Sequence, residues 1–124
     1  MPAYMIILIR QLIRHIIEGF LFCCAAGNGE GGSKGVDVRY CYPACYSKTI
    51  AVSAIDSSRQ LANYSNRGSA IDFTAPGSGI VSAYYKGNFA TMSGTSMAAP
   101  HITAAIAYLK MMQSNLSVDG IYRN

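Results

Sequence analysis

The fold is read most directly from Gly94-Thr95-Ser96-Met97-Ala98-Ala99-Pro100-His101, which stands near the C-terminal end of the chain. The segment 102–112 that follows is apolar almost all the way round, so we expect a helix buried on every side. Pro100 suits the first turn of this helix, where its missing N–H has no partner to lose. Ser96 would then lie at the positive end of the helix, among free backbone N–H groups. A hydroxyl nucleophile there could attack a carbonyl close to a donor for the oxyanion.

A second motif, Ala25-Ala26-Gly27-Asn28, follows the apolar run 20–24, which predicts a central parallel strand buried on both faces. Open α/β sheets place their ligands at the carboxyl ends of such strands. Together with Asp72-Phe73-Thr74-Ala75-Pro76-Gly77, the two motifs resemble segments of the subtilisin-like serine proteases, or subtilases. The resemblance implies that residues 1–124 are the C-terminal part of a catalytic domain. It also implies an α/β, three-layer fold around a mostly parallel sheet.

The same resemblance implies a serine endopeptidase site that cleaves polypeptides through an acyl-enzyme. Ser96 matches the nucleophile, and Asn28 matches the side chain that donates to the oxyanion. The positions that match substrate-binding residues are Ala25, Ala26, Gly27, Cys41 and Thr95. A polypeptide is therefore the expected substrate, and it would lie along the strand end at 25–27.

The general base and its orienting carboxylate have no counterpart in this sequence. Subtilases order their catalytic residues as Asp, then His, then Ser, and little chain precedes Asn28. His101 lies five residues after Ser96, which places it about 140° away around a helix of 3.6 residues per turn. His15 lacks the flanking residues of the family's base motif. We therefore expect the isolated chain to be nearly inert, and the missing N-terminal half of the domain would be the partner that completes it.

A second interpretation is a non-catalytic remnant that binds peptide or protein chains. Half of a parallel sheet leaves an apolar edge strand and an uncovered face, both of which favour pairing with another chain. The DNA upstream of Met1 discriminates between the two, because a stretch encoding the Asp and His motifs would support the protease.

No cofactor is expected for this chain, although the resemblance allows for Ca²⁺ in the complete domain. The backbone carbonyls of Ala44, Tyr46 and Thr49 match a weak cation site of relatives, but carbonyl ligands have no sequence signature of their own. Tyr42-Pro43 matches a Tyr-Pro pair whose peptide bond is often cis in the family.

The four cysteines do not form a metal-binding pattern. Cys23 and Cys24 are neighbours in the predicted strand, so their side chains point to opposite faces and cannot ligate one metal. The spacing also lacks the paired short repeats of a zinc site. Free or buried thiols are favoured, and a Cys41–Cys45 or Cys24–Cys41 disulfide remains the alternative.

The charged residues argue against a nucleic acid or a membrane as partner. They make up 13% of the chain with a net charge of +4, and no basic run is interleaved with aromatic residues. The apolar spacing of 9–20 predicts an amphipathic helix that polar residues interrupt too often for a membrane span. No basic residue precedes the apolar run 3–9, so no clear signal peptide is predicted, although the family resemblance implies secretion.

The rest of the pattern predicts the elements around the site. Alternation and turn residues indicate strands at 49–55, 72–74, 80–85 and 89–92, with an extended piece at 61–66. Ser117 is suited to cap a last helix.

Overall fold

The computed structural model describes residues 10–11, 14–15, 18–29 and 31–121, except for the side chains of 118 and 119. The strands are β1 (Cys23–Ala25), β2 (Ile50–Ile55), β3 (Phe73–Pro76), β4 (Ile80–Ala83) and β5 (Phe89–Met92). The helices are α1 (Thr95–Met112) and α2 (Val118–Ile121), with 3₁₀ turns at Val38–Tyr40 and Tyr85–Gly87.

A parallel sheet of three strands carries the first motif. Its order is β1-β2-β3, with Cys24 opposite Ala51 and Ser53 opposite Thr74. Five of the six residues of β2 are buried, as expected of a strand with a neighbour on each side. Within the described residues β1 lies at the edge of the sheet and only Cys24 in it is buried. The prediction of a central strand buried on both faces was therefore wrong for β1 and fits β2.

Helix α1 packs on one face of this sheet, as an α/β fold requires. Ile50, Val52 and Ala54 alternate along β2 and form a core with Ala98 and Ile106 of the helix. The opposite face, including Ala51, packs in a second cluster with Cys24, Ala26, Val38 and Ala44. The predicted α/β class with parallel strands is confirmed.

The prediction that α1 is buried on every side was wrong. Its buried residues are Thr95, Ala98, Ala99 and Ile106. The last three lie three, four and eleven positions after Thr95, a spacing that defines one face of a helix. Tyr108 is 64% exposed and Met111 is 84% exposed, although both belong to the apolar segment. The described residues place the sheet against one face of the helix, so the apolar residues elsewhere on it remain open to solvent.

The predicted position of Pro100 was also wrong. Because α1 begins at Thr95, Pro100 is its sixth residue and lies in the second turn. A proline there cannot donate to the carbonyl four residues earlier, which belongs to Ser96. The helix starts earlier than its sequence suggests because Asn28, from a distant segment, accepts the Thr95 N–H at 2.9 Å.

The strand–turn–strand pattern before α1 is an antiparallel hairpin, as predicted. Strands β4 and β5 pair from Ile80 with Met92 to Ala83 with Phe89. The first strand ends two residues before the predicted end, and a 3₁₀ turn with Lys86 at φ 58° closes the hairpin. Both β4 and the turn are largely exposed.

Other predicted elements are found in part. Of the helix predicted at 9–20, five positions lie outside the described residues, and Arg10, Gln11, Arg14 and His15 are helical. The piece at 61–66 makes one bridge, between Leu61 and Ile55, and then turns. Ser117 caps α2 by accepting the Gly120 N–H at 3.2 Å. Among the described helices, none is both long and apolar enough to cross a membrane.

Candidate active site

The turn that follows β1 carries the predicted oxyanion donor. Ala26 extends the strand by donating its N–H to Val52 O at 2.9 Å, and Gly27 then turns the chain with φ 96°. A Cβ on Gly27 would lie 2.6 Å from Asn66 Nδ2 and 2.8 Å from Cys41 Sγ. Glycine is therefore required here both for its backbone conformation and for the close packing of its neighbours.

The side chain of Asn28 is fixed by the first residue of α1. Its Oδ1 accepts hydrogen bonds from the N–H and the hydroxyl of Thr95, each at 2.9 Å. The Thr95 hydroxyl in turn accepts the Gly27 N–H at 3.1 Å. Thr95 is 1% exposed, so this short network is shielded from competing water.

These bonds decide which end of the Asn28 amide is free. Both lone pairs of Oδ1 are occupied, which leaves the two N–H groups of Nδ2 as the available function. Nδ2 lies 3.0 Å from the position of a Cβ on Gly94, at the start of α1. Asn28 Nδ2 makes no hydrogen bond to the described residues. It is not among the buried polar atoms that lack a partner.

Ser96 is the second residue of α1, so its N–H has no acceptor within the helix. The residue is exposed. It lines an open cleft of about 510 Å³ between the helix and the β4–β5 hairpin. On the helix side the cleft is lined by Ser96, Met97, Pro100, His101 and Ala104. The described part of the chain offers Ser96 Oγ no hydrogen-bond partner.

Each histidine ring is hydrogen-bonded to the backbone carbonyl four residues earlier. His101 lines the same cleft as Ser96, but its Nδ1 is bound to Met97 O at 2.9 Å. Since a carbonyl only accepts, that nitrogen carries the proton. His15 bonds Gln11 O at 2.7 Å and packs edge-on against Phe20. Neither ring is hydrogen-bonded to Ser96 within the described residues.

The profile of the Subtilase family (Peptidase_S8) matches residues 8–122. The chain belongs to the subtilase family.

Named relatives and a solved structure agree with this assignment. An intracellular serine protease of Paenibacillus polymyxa is 42% identical over 78% of this chain and 29% of its own length. The minor extracellular protease Epr of Bacillus subtilis (strain 168) is 45% identical over 75% of this chain and 14% of its own length. A cold-adapted subtilisin-like serine proteinase superposes with a TM-score of 0.79 at 36% identity, covering 86% of this chain and 37% of that one. The fold is subtilisin-like, and the chain spans about a third or less of the length of these relatives.

The residues predicted to bind substrate surround Asn28 in this subtilase chain. Ala25 ends β1 half-buried, and Cys41 is packed against Gly27. Ala26 and Thr95 are fully enclosed, at 0% and 1% exposure, so their side chains contact protein.

Two contributors to this geometry were missed at the level of sequence. Asn66 binds the backbone around Asn28, over a separation of 37 or more positions. The carbonyl of Gly77 accepts the Gly94 N–H at 2.8 Å and the Tyr64 hydroxyl at 2.9 Å, which ties the end of β3 to the start of α1. At the level of sequence, Gly77 was only the last residue of the motif at 72–77. Asn66 has no local signal that would have identified it.

The carbonyls matched to a cation site meet a hydroxyl in this chain. Thr49 Oγ1 lies 3.3 Å from Ala44 O, 2.9 Å from Tyr46 O and 3.0 Å from Pro43 O. These carbonyls converge as cation ligands do, but the Thr49 hydroxyl already stands among them, so the site fits a bound cation poorly. The Tyr42-Pro43 bond is cis.

The cysteines are free thiols. Burial raises the pKa of Cys23 and Cys24, so both stay protonated and weakly nucleophilic at neutral pH. No group of three or more His, Cys, Asp or Glu side chains in the described ranges is placed to hold a metal.

Proposed function

We propose that this chain provides the nucleophile and the oxyanion-binding side of a serine endopeptidase. The observation that carries the proposal is the pair of 2.9 Å hydrogen bonds between Asn28 Oδ1 and Thr95, the residue before Ser96. They hold a side-chain donor beside a serine at the start of a helix. Polypeptide is the proposed substrate, since the named relatives are proteases.

The chemistry follows from the position of each group. Ser96 Oγ would attack the carbonyl carbon of a peptide bond, and the carbonyl oxygen would take up the negative charge. Asn28 Nδ2 and the Ser96 N–H would donate to that oxygen. Both donors are held in place before the reaction, which is the arrangement that stabilises an oxyanion most.

The proton of Ser96 must go to a base that the described residues do not supply. Neither His101 nor His15 is hydrogen-bonded to Ser96 within the described residues, and His101 lies about 140° from Ser96 around α1. We propose that a segment bearing an imidazole and a carboxylate docks at the open cleft beside Ser96, which has room for side chains. With that segment the nucleophile is activated, and without it the chain hydrolyses peptides very slowly.

A fusion tests the proposal. The part of the Paenibacillus polymyxa protease that precedes its matched region would be joined to this chain, and cleavage of a peptide substrate would be measured. We expect turnover by the fusion, none by the isolated chain, and a loss of roughly 10⁶-fold for Ser96→Ala, which is the scale measured in subtilisin. A folded fusion without Ser96-dependent turnover would refute the proposal.

The second candidate is a chain that binds peptides without cleaving them. The unpaired edge of β1 among the described strands and the exposed apolar residues of α1 favour it. Binding of extended peptides by the isolated chain, undiminished in Ser96→Ala and accompanied by an inactive fusion, would support this candidate over the protease.

A further inference from the structure

Asn66 is a buried side chain that binds the backbone on both sides of Asn28. It is 3% exposed. Its Oδ1 accepts the N–H groups of Gly29 and Val36, each at 2.9 Å, and its Nδ2 donates to Ala26 O at 2.8 Å. Its backbone N–H donates to Gly27 O at 2.9 Å.

Three of the four bonds reach the residues on either side of Asn28, and the fourth reaches Val36. Residues 26, 27 and 29 each give one backbone group to Asn66, so the turn is held from one point. No described backbone hydrogen bond joins two residues of the 26–29 turn, whose groups bond Val52, Thr95 and Asn66 instead. Its main-chain groups therefore need partners from elsewhere.

The carboxamide is suited to this task. Each of its ends is used, because Oδ1 accepts twice while Nδ2 donates. A carboxylate of the same shape would keep the acceptors but lose the donor to Ala26 O, and would bury a charge.

The anchoring by Asn66 is distinct from the anchoring by Thr95. Thr95 binds the side-chain oxygen of Asn28, which sets the direction of Nδ2. Asn66 binds the main chain that carries Asn28, which sets the position of its Cα. The two contacts act on different atoms and come from different parts of the chain.

We propose that Asn66 is a positioning residue for the oxyanion site, which it serves by fixing the 26–29 turn. The inference rests on the proposed function for its catalytic consequence. Its structural part, that Asn66 holds the turn, can be measured without any activity.

The first experiment uses the full chain and no substrate. Amide hydrogen exchange at Gly29 and Val36 is slow in the wild type if Asn66 accepts both groups. Asn66→Ala should speed exchange at both by about tenfold or more, the scale of a lost buried hydrogen bond, and should shift the Asn28 side-chain amide resonances. Asn66→Asp keeps the acceptors for Gly29 and Val36, so any faster exchange in this variant would report the lost donor to Ala26 O and the buried charge.

Asn63→Ala is the matched control. Asn63 is exposed three positions earlier, and its contacts with Gly35 and Arg67 use its backbone carbonyl. Asn63→Ala should leave amide hydrogen exchange at Gly29 and Val36 unchanged. Fast exchange at both amides in the wild type would overturn the proposal, and this outcome does not depend on whether a variant folds.

The second experiment measures kcat and KM in the fusion described above. Asn66→Ala should lower kcat at least fivefold with little change in KM, and should cost almost nothing further once Asn28 is Ala. Equal costs in both backgrounds would show that Asn66 acts on general stability, which would overturn the catalytic part. An inactive fusion with slow exchange at Gly29 would instead refute the protease function and leave the positioning role standing.

Discussion

The two sides of Ser96 differ sharply in how completely this chain builds them. On the donor side, Thr95 binds the side chain of Asn28, and Asn66 binds the backbone of the residues on either side of Asn28. On the opposite side, Ser96 faces an open cleft of about 510 Å³, and the described residues offer its hydroxyl no base.

The contrast teaches that the two halves of this site have separate structural origins. The donors depend on bonds between elements that lie within this chain, so they form when it folds. Proton transfer requires groups at hydrogen-bond distance from Oγ. The donor side can therefore be tested by itself, whereas under the proposed function the base side requires the further segment proposed above.

On the donor side, the largest effect is expected from removing the donor itself. In the active fusion, Asn28→Ala should lower kcat by roughly 10² to 10³, which is the loss measured for an oxyanion donor in subtilisin. Ser58→Ala, an exposed turn residue whose backbone N–H bonds Asp56, is the control and should change kcat little. An equally active Asn28→Ala enzyme would contradict the assignment of the donor.

The next effect concerns the junction between β3 and α1. A Cβ on Gly77 would lie 2.6 Å from Ala54 Cβ and 2.8 Å from Gly94 O. Gly77→Ala should therefore lower the free energy of unfolding by about 3 kcal/mol, at the upper end of overpacking costs.

Gly79→Ala is the control for that variant. No atom lies within 4 Å of a Cβ there, but φ is 68°. Its cost should be about 1 kcal/mol from backbone strain alone. Urea unfolding of the two variants measures the difference, and equal midpoints would contradict the tight packing at Gly77.

A smaller effect is expected from the hydroxyl that orients Asn28. Thr95→Val keeps the shape but removes the donor to Asn28 Oδ1 and the acceptor for the Gly27 N–H. It should cost about 2 kcal/mol of stability, since a buried N–H loses its partner. Thr95→Ser retains the hydroxyl and should cost less. Thermal unfolding of both variants tests this order, and a reversed order would contradict it.

The smallest effect is expected on the exposed face of α1. Met111 is 84% exposed on α1, so Met111→Lys should change the free energy of unfolding by no more than about 0.5 kcal/mol. Ile106 is 6% exposed on the same helix, and Ile106→Ala should cost about 3 kcal/mol. Sedimentation would show less self-association for Met111→Lys. A large loss of stability for this variant would mean that the exposed face of α1 is packed in solution.

The motifs predicted most of the local secondary structure and the order of the elements along the chain. The strands predicted at 49–55, 72–74 and 89–92 are found at 50–55, 73–76 and 89–92, because a strand's periodicity is contained in its own sequence. Pro76 was expected to lie beyond the second of these strands and is its last residue. The start of α1 beside Asn28 was predicted from the resemblance of two motifs. Their contact through Thr95 is seen in the hydrogen bonds.

What the sequence could not predict depends on distant partners. The exposure of Tyr108 and Met111 depends on what packs against α1, and an apolar pattern alone predicts only that something should. The second-turn position of Pro100 depends on capping by Asn28 from another segment. Asn66 was missed because a buried side chain that binds backbone has no characteristic residue pattern.

The carbonyl of Gly77 has a consequence for how such a chain can vary. It is bonded at once to the tyrosine hydroxyl at position 64 and to the amide at position 94, so its two lone pairs are filled. The groups at positions 77 and 94 belong to the backbone, so only the bond from position 64 needs a particular side chain, one that carries a hydroxyl. Variation at position 77 is limited instead by space, because Ala54 Cβ and Gly94 O approach its Cα closely. A library aimed at this junction should therefore vary position 64 and leave the glycine at 77 unchanged.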